Sequence, residues 1–219
     1  MNCLSLNIRG IGEDHKVAWV RRLKIQNRSS FIGNQETQLV DINALNAEGC
    51  WDQTEFGHVA IQSSGRSGGL LHLWDTRLYN VEDVIRAKHY MITIGTWVDI
   101  PGHTIIANVY GPHSPQEKKM LWEELIQIKN QKAGTWIILG DFNTVRTREE
   151  RYNSQFCSSS AFWFNRFIDK AGLIDIRMGG HRYMSHPQID RRKHLRAKTS
   201  CQYHNTFTNR INMANNSLH

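Results

Sequence analysis

The sequence predicts a domain of mixed helices and strands with an antiparallel centre. Three observations point there. Between His58 and Val109, short apolar runs follow one another with no helix-length segment between them, the pattern of consecutive antiparallel strands. Segments with helical spacing stand on either side of that block. The chain has 219 residues, 40% of them hydrophobic and seven of them tryptophan, which suffices for one large domain or two small ones with a sizeable core. No internal repeat is present.

Taken in order, Cys3 to Leu6 reads as a strand, followed by the loop Asn7-Ile8-Arg9-Gly10. Lys16 to Ile25 sets Val17, Val20 and Lys24 on successive turns with Trp19 and Leu23, which is helical spacing. Ser30 to Gly33 is a second strand, ended by Asn34-Gln35-Glu36-Thr37, and Asp41 to Ala47 is a helix. His58 to Gln62 and Gly69 to Trp74 are strands joined by a loop over 63–67, and Val81 to Ala87, Tyr90 to Val98 and His103 to Val109 continue the series. Ser114-Pro115-Gln116-Glu117 then opens a helix: Ser114 suits the cap, Pro115 the first helical position, and Glu117 can reach back to the cap amide. Leu121, Leu125 and Ile128 line one face of it, and it ends near Asn130. Thr135 to Gly140 is a buried strand, a second capped helix starts near Ser160 with Phe164, Phe167 and Ile168 as its apolar face, and Leu173 to Ile176 is a last strand.

Beyond Met184 the composition changes. Residues 185–219 hold few large apolar side chains, show no period, and carry six basic residues against the single acid Asp190. The expectation is a domain over 1–184 followed by a basic, poorly ordered tail over 185–219. The net charge of +7 is therefore largely a property of the tail and says little about what the body binds. No run of about 18 apolar residues marks a membrane span, and Met1 to Asn7 lacks the basic start and apolar stretch of a signal peptide. Cys3, Cys50, Cys157 and Cys201 are scattered, which argues against a zinc site and for reduced thiols in an intracellular protein.

Four strand-like segments end in residues able to do chemistry: Asn7, Glu36, Tyr110, and Asp141 with Asn143. Taken singly, each has a plain structural reading. Asn and Asp are common turn formers, Glu36 suits a solvated loop, and Tyr110 suits a packed aromatic. Together, two carboxylates with amide oxygens suit a hard ion such as magnesium, and strand ends of α/β sheets gather where ligands bind. Arg146, Arg148 and Arg151, which follow Asn143, suit DNA phosphates or a solvated loop equally well.

The ordered segments LNIRG (6–10), QET (35–37), SGGLLHLW (67–74), NVYGPH (108–113), GDFNTV (140–145) and GGHRY (179–183) resemble the endonuclease/exonuclease/phosphatase superfamily. Within it, they are most similar to the apurinic-endonuclease-like domain that begins plant non-LTR retrotransposon polyproteins, upstream of a reverse transcriptase. The resemblance covers residues 1–184. It implies an α+β fold of four layers, with two mostly antiparallel sheets face to face and helices outside. It implies a magnesium-dependent nuclease, with manganese as the substitute ion, that hydrolyses DNA phosphodiesters in the nucleus. Glu36 would ligate the metal with Asn7 beside it, Asp141 would orient and deprotonate the attacking water, and Asn143 and Tyr110 would hold the scissile phosphate.

The resemblance stops short of the family's last elements, an Asp-Arg segment and a Ser-Asp-His triplet. Gln188-Ile189-Asp190-Arg191 comes too soon after Tyr183, and His186, His194, His204 and His219 have no preceding Asp. The expectation is a fold incomplete at its C-terminus in a truncated or frame-shifted copy, with weak or absent nicking. Two other functions stay open: a non-catalytic nucleic-acid-binding remnant and a small-molecule phosphoesterase.

Overall fold

The computed structural model describes residues 1–63, 68–152, 155–174, 184–185 and 207–210. Two sheets form the centre. In the first, β1 (Cys3–Asn7) pairs parallel with β2 (Phe31–Gln35), which pairs antiparallel with β4 (Leu70–Asp75), and β3 (Phe56–Ile61) closes the order β1-β2-β4-β3. In the second, β5 (Tyr79–Arg86), β6 (Tyr90–Trp97) and β7 (His103–Tyr110) form the antiparallel meander. There β7 pairs parallel with β8 (Thr135–Asp141), and β11 (Phe207–Arg210) lies antiparallel on the other side of β8. A two-stranded parallel ribbon joins β9 (Arg151–Tyr152) to β10 (Met184–Ser185). Antiparallel pairs dominate both sheets, as predicted, and the one parallel pair in each proves to be what builds the site.

Alternation along the strands sorts the side chains into four layers. On β2, Phe31 faces the other sheet while Ile32 faces outward. On β7 and β8, Ile106, Ile137 and Leu139 face inward, and Ile105, Ala107, Trp136 and Ile138 face outward. The inner layer holds Phe31, Trp74, Tyr79, Trp97, Ile106, Ile137 and Leu139, so the sheets meet face to face. Outside the first sheet, α1 (Asp14–Asn27) and the single turn α2 (Ala47–Cys50) cover Leu6, Ile32, Leu71 and Leu73 with Val17, Val20, Leu23 and Trp51. Outside the second, α3 (Pro115–Gln131) and α4 (Ser158–Lys170) lay Leu121, Trp122, Leu125, Phe164 and Phe167 on Ile92, Ile105 and Val109. Trp122 stacks on Phe167 with ring centroids 5.1 Å apart. Each such buried large side chain stabilises the fold by about 1.5–3 kcal/mol. This is the four-layer sandwich the motifs implied.

Several predicted elements shift. The strand predicted to end at Gly33 runs on to Gln35, because the amide side chain of Gln35 finds partners inside the sandwich. Asp41 to Ala47 is a 3-10 turn at Ile42–Ala44 leading into α2, rather than one helix. Ser114 takes the cap position and Pro115 the first turn of α3, but the serine side chain makes no capping bond, and Glu117 lies 3.7 Å from Lys88. Leu173 and Ile174 belong to no strand, and residues 175 and 176 of that predicted strand lie outside the described residues. So does the tail apart from Ser185 and the strand β11.

Candidate active site

Parallel pairing brings C-terminal strand ends together. In the first sheet Asn7 pairs with Gln35, the residue before Glu36, and in the second Tyr110 pairs with Asp141. The two parallel pairs therefore end at one edge of the sandwich. Alternation then aims the side chains. Asn7 is in phase with Ser5, Tyr110 with Ile106 and Asn108, and Asp141 with Ile137 and Leu139, so all three point between the sheets. Strict alternation would send Glu36 outward with Ile32 and Asn34. Its φ of 53° breaks the pleat, and its carboxylate turns in instead.

The result is a tight polar group. Asn7 Nδ2 donates to Glu36 Oε1 at 2.7 Å and to Asp141 Oδ2 at 2.7 Å, so one amide joins carboxylates from both sheets. Tyr110 and Glu36 share a side-chain hydrogen bond. Burial, the Glu36 charge and that bond all push the phenol above its ordinary value, so Tyr110 keeps its proton at neutral pH. Burial pushes the Asp141 carboxyl upward and the nearby Glu36 charge adds to it, against bonds from the Asn143 backbone and Asn7 and the attraction of Arg9. A carboxyl raised in this way is a better proton acceptor than an ordinary aspartate.

Asn143 is both turn and site. Its N–H donates to Asp141 Oδ1 at 3.1 Å, the Asx-turn bond its sequence suggested, and its Nδ2 donates to the Gly111 carbonyl at 2.7 Å. Its φ of 49° is left-handed, as is that of Glu36. For a glutamate such a conformation costs about 1–2 kcal/mol, and stored strain of this kind collects at functional sites. Gly140 makes the approach of β8 to β7 feasible: a Cβ there would lie 1.9 Å from the Val109 carbonyl oxygen.

A hard cation fits this donor set. Asn7 Oδ1 is buried without a hydrogen-bond partner, and two carboxylates face each other across its amide. Among the described residues no group of three His, Cys, Asp or Glu side chains gathers.

The three arginines behave differently. Arg146 Nε donates to Asn165 Oδ1 at 2.8 Å, and the Asn165 amide returns a bond to the Arg146 carbonyl, so this side chain anchors α4. Arg148 is exposed and lies over the Phe156 ring at 5.6 Å. The Arg151 side chain lies outside the described residues.

Two features escaped the sequence reading. Lys118, 6% exposed, donates from Nζ to the Asn143 carbonyl at 2.5 Å and so supports the left-handed turn. A lysine in a charged first helical turn gives no sequence signal for burial. Gln35 and Asn108 form a buried amide pair behind the site. Their only sequence signal is polar residues interrupting apolar strands two positions or fewer before Glu36 and Tyr110.

No family model matches the sequence, and no curated protein matches it. Solved structures do resemble it. The chain is similar to an AP endonuclease from Leishmania major, with 13% identity and a TM-score of 0.61 over 79% of this chain and 67% of that one. It is similar to a 3′ phosphatase from Neisseria bound to a product DNA hairpin, with 17% identity and a TM-score of 0.64 over 80% of this chain and 72% of that one. An endonuclease/exonuclease/phosphatase family protein from Bacteroides thetaiotaomicron follows, with 12% identity and a TM-score of 0.55 over 79% and 68%. At such identities the likeness is one of architecture, and in architecture the chain has the endonuclease/exonuclease/phosphatase fold.

Proposed function

We propose that residues 1–184 form a magnesium-dependent phosphodiesterase domain that nicks DNA, and does so slowly. The observation that carries this reading is the Asn7 amide joining Glu36 and Asp141 across the two sheets. Such an arrangement concentrates negative charge, and the Asn7 Oδ1 beside it is buried without a hydrogen-bond partner. Glu36 and Asn7 would hold magnesium, or manganese in its place, and the bound ion supplies charge that polarises a phosphate oxygen and stabilises the leaving one.

The chain's own residues divide the rest. Asp141, with its raised carboxyl pKa, takes the proton of the attacking water. Tyr110, kept protonated, donates to a phosphate oxygen. The second Nδ2 hydrogen of Asn143 does the same, the first being held by Gly111. Arg148, exposed and five residues after Asn143, would serve a neighbouring phosphate. Slow turnover is proposed because these 219 residues hold no Ser-Asp-His triplet of the kind the resemblance implies, and working without a general acid or base typically costs about 10²–10⁴-fold in rate. The resemblance of the ordered motifs to retroelement domains supports a reading in which the substrate is nuclear DNA.

Nicking of supercoiled plasmid tests the reading. The expected result is slow nicking in magnesium that stops with EDTA. Turnover at ordinary nuclease rates would overturn the claim of slowness. Absence of both nicking and manganese binding would overturn the site itself. A phosphomonoester run in parallel separates a nuclease from a small-molecule phosphoesterase.

A further inference from the structure

Behind the site, Asn108 of β7 grips β2 of the other sheet with both ends of its side chain. Its Oδ1 accepts from Gln35 Nε2 at 2.6 Å, and its Nδ2 donates to the Asn34 carbonyl at 3.0 Å. Gln35 Nε2 also contacts the Gly33 carbonyl at 2.9 Å and Ser5 Oγ at 3.1 Å, which brings in β1. Asn108 and Gln35 are at most 1% exposed. Gly33 leaves room for the pair: a Cβ there would stand 3.2 Å from Asn108 Cγ. The two residues gripped, Asn34 and Gln35, immediately precede Glu36, and Asn108 stands two residues before Tyr110 on the same face.

The apolar layer between the sheets is non-directional: burial holds the sheets together without fixing how one slides on the other. Directed, buried hydrogen bonds do fix it. We propose that Asn108 and Gln35 act as a positioning clamp that sets the offset between the two sheets, and thereby holds Glu36 and Asp141 at the spacing the Asn7 amide spans. The proposal rests on the metal-site reading above for its functional consequence, though not for its geometry.

The experiment uses the full chain and three variants: Gln35→Met, Asn108→Leu, and the two combined. The combined variant removes both side-chain amides together, so neither faces a missing amide partner, although the Asn34 carbonyl and Ser5 Oγ lose their donors; it restores part of the stability a single change loses. Folding is followed by near-UV circular dichroism and urea unfolding. Two readouts report the site: manganese affinity by electron paramagnetic resonance, and solvent exchange of the Asn7 side-chain amide protons by NMR without metal. The clamp predicts that the folded combined variant still binds manganese at least about tenfold more weakly than wild type, as expected when groups supporting a ligand are lost. It also predicts faster exchange of the Asn7 amide. A merely structural role predicts that both recover with stability, and that result overturns the proposal. Should wild type bind no manganese, the metal-site reading fails, and the clamp is decided by Asn7 exchange alone: faster exchange in the folded variant upholds it and unchanged exchange overturns it. Should the combined variant not fold, Gln35→Met is read by the same two criteria.

Discussion

The layer between the sheets has two unlike ends. At one, aromatic rings pack: Tyr79 stacks on Trp97 with centroids 5.3 Å apart and meets Phe31 and Trp74 edge-on at 6.2 and 6.4 Å. The Tyr79 hydroxyl lies 2.9 Å from the Thr93 and Thr104 carbonyl oxygens. At the other end, reached along the same five residues of β2, sit amides and then carboxylates: Gln35 with Asn108, and beyond them Asn7, Glu36, Tyr110 and Asp141. The aromatic end supplies adhesion and tolerates small displacements. The polar end supplies direction, and its distances admit little play. Stability and function are thus concentrated at opposite ends of one layer, and substitutions should separate them.

Asp141→Asn tests the polar end hardest. Nicking should fall by about 10²–10⁴-fold, since an amide takes no proton. The urea midpoint should hold or rise, because a carboxylate crowded by Glu36 is removed. A large loss of stability would contradict the division. Phe31→Ala is the mirror experiment. It should cost about 3–5 kcal/mol in urea unfolding, as for other buried phenylalanines, while manganese affinity in the remaining folded fraction stays near wild type.

His72 sharpens the boundary between the ends. It is fully buried on β4, 4.9 Å from the Phe31 ring, with both ring nitrogens lacking partners, and burial pushes its pKa down from 6.5 to about 3. The folded ring stays neutral while the unfolded chain takes up a proton below 6.5, so its stability contribution is complete above that pH and declines as pH falls toward 3. The slope should approach about 1.4 kcal/mol per pH unit. Urea unfolding of wild type and His72→Leu between pH 7 and 5 should show that slope in the first and its loss in the second. The smallest effect concerns strain. Glu36→Gly and Glu36→Ala both remove the proposed metal ligand, but glycine should be the more stable by about 0.5–1 kcal/mol, the left-handed penalty less the chain entropy of glycine. Equal stabilities would mean that φ at residue 36 stores no strain.

Much of this was legible in the sequence because the informative residues stand at strand ends. Asn7, Glu36, Tyr110, Asp141 and Asn143 each follow an apolar run, and strand order does the rest. What was not legible depends on contacts made across the sandwich. Gln35 reads as lying past the end of a strand because polar residues usually face water, whereas here Asn108 holds its side chain inside. The inward turn of Glu36 is a backbone dihedral with no signature in the letters. Arg146 reads as a DNA contact by charge, and the bond from its Nε to Asn165, 19 residues away, has no signature in the letters. Lys118 is hidden because its partner is a backbone carbonyl, which any residue could offer.

The Asn7–Asp141 bond joins residues 134 positions apart. Closing so long a loop carries an entropy cost that neighbouring contacts do not share, so contacts of this kind form late in folding. β1 and β2 can meet, and α1 can cover them, while β8 is still being made. The site cannot exist until both sheets have closed on each other. Under the proposed function, metal binding by the paired carboxylates would therefore report completed folding: a chain stalled at any earlier stage would offer one carboxylate at a time and hold a hard cation no better than an ordinary surface acid.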